Sequence, residues 1–165
     1  MIQDIASFVG YFEGIRRRTL NYIQAIPAGQ LEWRPAPAEL TCGDIVRHVA
    51  AAEQMYVGLV AEGRWHYRGH AREPEHDLAT LLAALQAGHA QAIERLRGLP
   101  DSVLGELRPA LDGGPSIKVW RWLMAMVEHE VHHRSQLAVH LALMGVVPPQ
   151  IYGMGVEDVI ARATG

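Results

Sequence analysis

The chain has one cysteine, Cys42, and one lysine, Lys118, among its 165 residues. A single thiol excludes an intrachain disulfide and a zinc site built on several cysteines, which leaves histidine and carboxylate as the plausible metal ligands. Cys42 itself reads as a small residue at a helix start rather than a reactive thiol. With almost no lysine and a net charge of −3, the chain lacks the basic footprint of a nucleic-acid binder. Its one basic cluster, Arg16-Arg17-Arg18, has no interleaved aromatics and reads as a solvated helix face or an ion-pair site at a bundle edge. No uninterrupted apolar run approaches the roughly 18 residues of a membrane span, and no charged-then-apolar leader opens the chain, so the expectation is a cytoplasmic protein without a membrane partner. Strand-like alternation, internal repeats and low-complexity stretches are missing too.

What is there in quantity is helical periodicity. Ile5, Phe8, Val9, Phe12, Ile15, Leu20, Ile23 and Ile26 recur at three and four, predicting a first helix over 2–26 that Pro27 ends. Residues 27–40 hold three prolines and a glycine and predict an extended crossover with Leu31 and Trp33 tucked onto the bundle. Thr41 and Asp44 form a capping box in front of a second helix, Cys42 to Glu62, with an inner face of Ile45, His48, Ala52, Met55 and Leu59. A polar loop at 63–76 carries His66, His70 and His76, which read as solvated. Asp77 caps a third helix to Arg97 whose stripe runs from Leu78 through His89 to Leu96. A Gly- and Pro-broken connection at 98–115 precedes a fourth helix, capped by Ser116 and ended by Gly145, and the tail offers at most a short helix from Val156. Length and pattern predict a single all-α domain over 1–165. It is a four-helix bundle whose long crossover connections permit a topology other than up-down-up-down.

Nine histidines are the chemical signal. His129 and His133 stand four apart on the fourth helix, a spacing that stacks two imidazoles on one face within reach of one ion. On a helical wheel they share a stripe with Trp122 and Met126 that should face the core. His48 lies mid-stripe on the second helix. Buried imidazoles need partners, and the apolar faces of the first three helices offer almost no carboxylates, so His48, His129 and His133 are read as ligands of one divalent metal ion. Hydrogen bonding to core carboxylates or hydroxyls is the alternative. His89 could be a fourth ligand, a partner to a ligand, or a polar residue at a cavity. His140 lies too far along the axis to share the ion, and His132 points off the stripe towards a neighbouring helix or subunit. Glu128, Glu130 and Gln136 could orient ring N–H groups. A rival reading takes His129-Glu130-Val131-His132-His133 as the H-E-x-x-H of zinc proteases, with Glu130 as general base and Glu157 as third ligand. The missing strand for a peptide substrate and the inward His48 count against it.

His48 and Glu53 in GDIVRHVAAAEQ, His129, His133, Arg134 and Gln136 in VEHEVHHRSQLAVHLALMG, and the crossover Arg34-Pro35-Ala36-Pro37 together resemble the DinB-like superfamily of bacterial metal-binding four-helix bundles. Ser135 departs from the family's usual glycine. The resemblance implies a divalent ion (zinc, nickel, iron or manganese) on the three histidines, with waters at open positions, and a homodimer. It further implies relatives that are thiol-dependent S-transferases using bacillithiol or mycothiol, or a mycothiol-dependent maleylpyruvate isomerase. On that footing the expected activity is transfer of a low-molecular-weight thiol to a small electrophile. A hydrolase using Glu130, or a non-enzymatic metal-binding module, stands as the alternative.

Overall fold

The structure is a computed structural model that describes residues 2–69 and 77–164. Four long helices dominate it: α1 (Ile5–Gln24), α2 (Cys42–Glu62), α3 (Leu78–Arg97) and α4 (Val119–Leu143), followed by a short α5 (Val156–Ala163). His70 and His76, placed in the 63–76 loop by the sequence, lie outside the described residues. The local signals act as their chemistry predicts. The Thr41 hydroxyl accepts from Asp44 N–H while the Asp44 carboxylate accepts from Thr41 N–H, and Asp77 accepts from Thr80 N–H. Asp4, which periodicity alone passed over, caps α1 through Ser7 N–H.

The 27–40 and 98–115 connections also cap helices. The carbonyls of Trp33 and Leu31 accept from Cys42 and Gly43 N–H, so the 27–40 crossover satisfies free donors at the start of α2. At the other end Gly63 turns out of α2 at φ 73°, and Arg108 donates to the carbonyls of Leu59 and Val60. Two expectations fail in the 98–115 connection. A two-stranded antiparallel ladder pairs Leu107–Arg108 (β1) with Ile117–Lys118 (β2), although no strand was expected. Ser116 therefore does not cap α4. The ladder runs straight into the helix at Val119, whose N–H donates to the Glu106 carbonyl in place of a side-chain cap.

The first turns of α1 and α4 share one apolar cluster with the last turns of α2 and α3, and the opposite ends share a second. Thus α1 and α4 run one way and α2 and α3 the other. In cross-section α2 packs on α3 and α4, and α1 on α4 and α3, which puts the consecutive pairs α1/α2 and α3/α4 at opposite corners. This is the departure from up-down-up-down that the long connections allow.

Between the two apolar clusters lies a polar layer with one residue from each helix. Arg16 of α1 donates from one terminal nitrogen to Glu53 Oε2 at 2.9 Å and to Glu130 Oε2 at 2.8 Å, and His89 Nδ1 lies 2.7 Å from Glu53 Oε1. Arg16, Glu53 and Glu130 are 2–3% exposed. The sequence reading of Arg16 as a solvated or edge residue is therefore wrong in place, though right that it is ion-paired. The apolar faces of α1 and α2 do carry buried charge. The deepest stripe of α4 runs through Leu123, Met126, Glu130, Leu137 and Leu141; of the stripe the sequence pointed to, Met126 and His133 are buried and Trp122 and His129 half-buried. Charges at 130 and 134 hid that stripe from hydrophobic periodicity.

Candidate metal centre

His48 from α2 meets His129 and His133 from α4 on the flank of this core. His48 and His129 are half-buried and His133 is buried. His129 Nε2 lies 3.0 Å from His48 Nε2 and 3.2 Å from His133 Nε2, and one ligand atom from each of the three lies within 4.8 Å of the others. Three nitrogens bound to one ion at about 2.1 Å would stand about 3.0 Å apart at right angles and about 3.4 Å apart in a tetrahedron. The observed spacing falls between, so the donor set fits an ion in either geometry.

The far sides of two of the rings meet polar partners outside the cluster. His133 Nδ1 is 2.7 Å from the Gln136 amide oxygen, which makes it the N–H donor and leaves Nε2 with its lone pair facing the other two rings. His48 Nδ1 is 2.7 Å from the Tyr67 hydroxyl; when the phenol accepts, His48 Nε2 is also a lone pair. Burial, and then the neighbouring His133, His48 and His132 rings, push His129 down to about 4, so it is neutral and a potential ligand at physiological pH. One ring proton between three converging nitrogens cannot satisfy both close N···N contacts at His129. A cation can.

The other candidates fall elsewhere. His89 is bonded to Glu53 in the polar layer rather than standing as a fourth ligand. Glu130 is taken by Arg16 and Glu128 by Arg121, so of the three residues expected to orient the rings only Gln136 does so. Glu157 is exposed in the first turn of α5, outside the group of potential ligands. His132 is exposed, its ring 4.9 Å from that of His133, and His66 is exposed and accepts from Arg68. His140 is buried against Trp33 and Cys42, one end of the bundle away.

Three residues near the histidines were not read from the sequence. Tyr67 comes from the extended segment after α2 and has no periodic signal. Tyr56 and Trp65 form an aromatic wall beside His129 together with Trp122: Tyr56 lies 6.0 Å from His129 and from Trp65, and Trp65 lies 5.1 Å from Trp122. Trp65 N–H donates to the Pro109 carbonyl, tying the 63–69 segment to the 98–115 connection. Arg16 could have been found, because it sits four residues after Phe12 and seven before Ile23, in the centre of the α1 stripe.

Comparison with known proteins places this arrangement. The structure is similar to the crystal structure of the DinB-like protein YjoA from Bacillus subtilis, with a TM-score of 0.72, 20% identity, and coverage of 88% of this chain and 97% of that one. In sequence the chain is 22% identical to YjoA over 138 residues, 83% of this chain and 88% of its relative. A DinB-like protein from Bacillus cereus superposes with a TM-score of 0.74 at 21% identity, covering 91% and 99% of the two chains. YfiT from Bacillus subtilis, described as a probable metal-dependent hydrolase with an unusual four-helix bundle topology, superposes with a TM-score of 0.66 at 18% identity, covering 86% and 88%. These likenesses carry the fold. The family model of the DinB superfamily matches residues 11–137, a span that holds all three histidines and all four members of the polar layer, and the chain belongs to that superfamily.

Proposed function

We propose that the chain is a metal-dependent enzyme in which His48, His129 and His133 hold one divalent ion, of the zinc, nickel, iron or manganese class, and that it joins a low-molecular-weight thiol to a small electrophile. The observation that carries the reading is the convergence of the His48 and His133 Nε2 atoms on that of His129, at 3.0 and 3.2 Å, with the outer nitrogens of His48 and His133 set against Tyr67 and Gln136. When bound, the ion would supply a Lewis acid with open positions, able to lower the pKa of a coordinated thiol into the neutral range. The chain's own residues do the rest. Gln136 and Tyr67 hold the tautomers that aim lone pairs inward, and Tyr56, Trp65 and Trp122 keep water from one side and present flat apolar faces to a substrate.

Hydrolysis is the second reading, favoured by the description of YfiT. It would use the same histidines and a water in place of the thiol. Glu130 is poorly placed to be its base, because the carboxylate is buried and one of its oxygens is bound to Arg16. The two are separated by offering the metal-loaded protein a thiol with a model electrophile and, in parallel, an ester or amide panel. Turnover that is first order in thiol and lost with the metal in His48→Ala is expected. Ester cleavage without thiol would replace the first reading by the second, and silence in both panels at saturating metal would overturn the enzymatic reading.

A further inference from the structure

The opposite face of α2 borders a cavity. It measures about 840 Å³, lies between α2 and α3 beneath the 66–69 segment, and contains none of the three clustered histidines. That volume is in the range of sites for small organic ligands. Val46, Leu81 and Leu85 make part of its wall apolar. His89 lines it, with Nδ1 anchored on Glu53, which Arg16 anchors in turn, so the imidazole is fixed in position on a buried carboxylate.

The balance of donors and acceptors points to what would fit. Both carboxylates among the described residues of the wall are engaged: Glu53 with Arg16 and His89, Glu62 with Arg95. Arg47, also in the wall, has a side chain only 10% exposed and one bond to Asp44, yet its Nε is buried with no partner. That nitrogen has no surface on the cavity, but the described wall sets three guanidinium groups, Arg47, Arg68 and Arg95, against two carboxylates that are already paired, and a ligand carboxylate would meet this excess of donors. We infer that the α2–α3 cavity is a binding site for a small organic carboxylate with an apolar, ring-sized body, held by Arg47 and His89. The site does not rest on the metal reading, since none of its residues is among the three histidines. The 63–69 segment touches both places, because alternate side chains of extended backbone point opposite ways: Tyr67 meets His48 while His66 and Arg68 line the cavity.

The test is a fluorescence titration of the full-length protein, as purified, with 2-naphthoate and with the neutral 2-naphthalenemethanol. Saturable binding to one site is expected, with the alcohol at least about tenfold weaker, and Arg47→Met should erase that difference. Gly88→Leu should weaken naphthoate at least about tenfold. It fills the wall where an added Cβ meets only Gln54 Nε2 at 3.5 Å, and it raises helix propensity, so the protein folds. Ala84→Phe, on the same wall, is the second such variant, and His129→Ala should bind naphthoate as the parent does. Unchanged binding in both filled variants, loss in His129→Ala, or no binding below about 10 mM by a protein with intact helical circular dichroism would each overturn the assignment.

Discussion

Arg16 holds two carboxylates buried from solvent, so its removal is a damaging change at the level of side chains. Arg16→Met should cost about 3–5 kcal/mol in a urea titration, because it strands Glu53 and Glu130 in the interior. Replacing all three with apolar residues of similar volume should recover most of that. A loss under about 1 kcal/mol in the single variant would mean the three charges do not act as a closed group. Gln136 acts on function instead of stability. Gln136→Ala frees His133 to rotate and to change tautomer, so zinc affinity in a chelator competition should fall about 10- to 100-fold while the melting curve of the metal-free protein stays put. His140 supplies a pH dependence. Burial holds its folded pKa below the ordinary 6.5, with Glu39 opposing weakly. The unfolded chain therefore binds the proton more tightly. The contribution is fully present above pH 6.5 and is lost as the pH falls through 6.5 towards the depressed folded value. Unfolding curves between pH 7.5 and 5 should be flatter for His140→Leu than for the parent, and an unchanged slope would remove His140 from the acid response.

At the scale of elements, what holds α2 matters most, since it carries His48, Glu53 and one wall of each site. Its start is closed by Thr41, Asp44 and two crossover carbonyls, and its end by Gly63 and Arg108. Arg108→Met should cost about 1–3 kcal/mol and speed amide exchange in the segment that Leu59 and Val60 end, with little change at Cys42–Ile45. Uniform acceleration along α2 would instead indicate loss of the whole helix. These ends also show why some elements are legible in a sequence and others not. Thr41, Asp44 and Asp77 announce helices because capping is a local hydrogen bond between residues three apart. The β1/β2 ladder announces nothing, since two residues per strand are too few for alternation to show and the pairing is closed across Arg108 and Ile117. Arg108 as a cap for α2 is likewise a contact across 48 residues.

For the molecule as a whole, periodicity fixed four helices and the His-x-x-x-His spacing fixed two of the three clustered histidines, because both follow from the pitch of one helix. The polar layer stayed hidden for the opposite reason. Arg16, Glu53, His89 and Glu130 become a unit only when four helices come together, and a charged residue on an apolar stripe reads as an interruption until its partners are known. The layer divides the apolar interior into two clusters, one at each end of the bundle, and the histidines bridge α2 and α4 beside that division. An ion on them would therefore tie together two helices that are otherwise joined through side-chain packing and the Arg16 bonds. Because His48 stands 81 residues from His129 in the chain, only the folded form brings the three rings together, and the ion would bind it far more tightly than the unfolded one. Zinc at a free concentration a hundred times its dissociation constant should then add about 2.7 kcal/mol. For a chain of this size that raises the melting temperature by roughly 5–11 °C over the chelated protein. His48→Ala should melt at the same temperature with and without zinc. A parent protein whose melting point ignores zinc that is demonstrably bound would place the ion elsewhere than on the α2–α4 histidines.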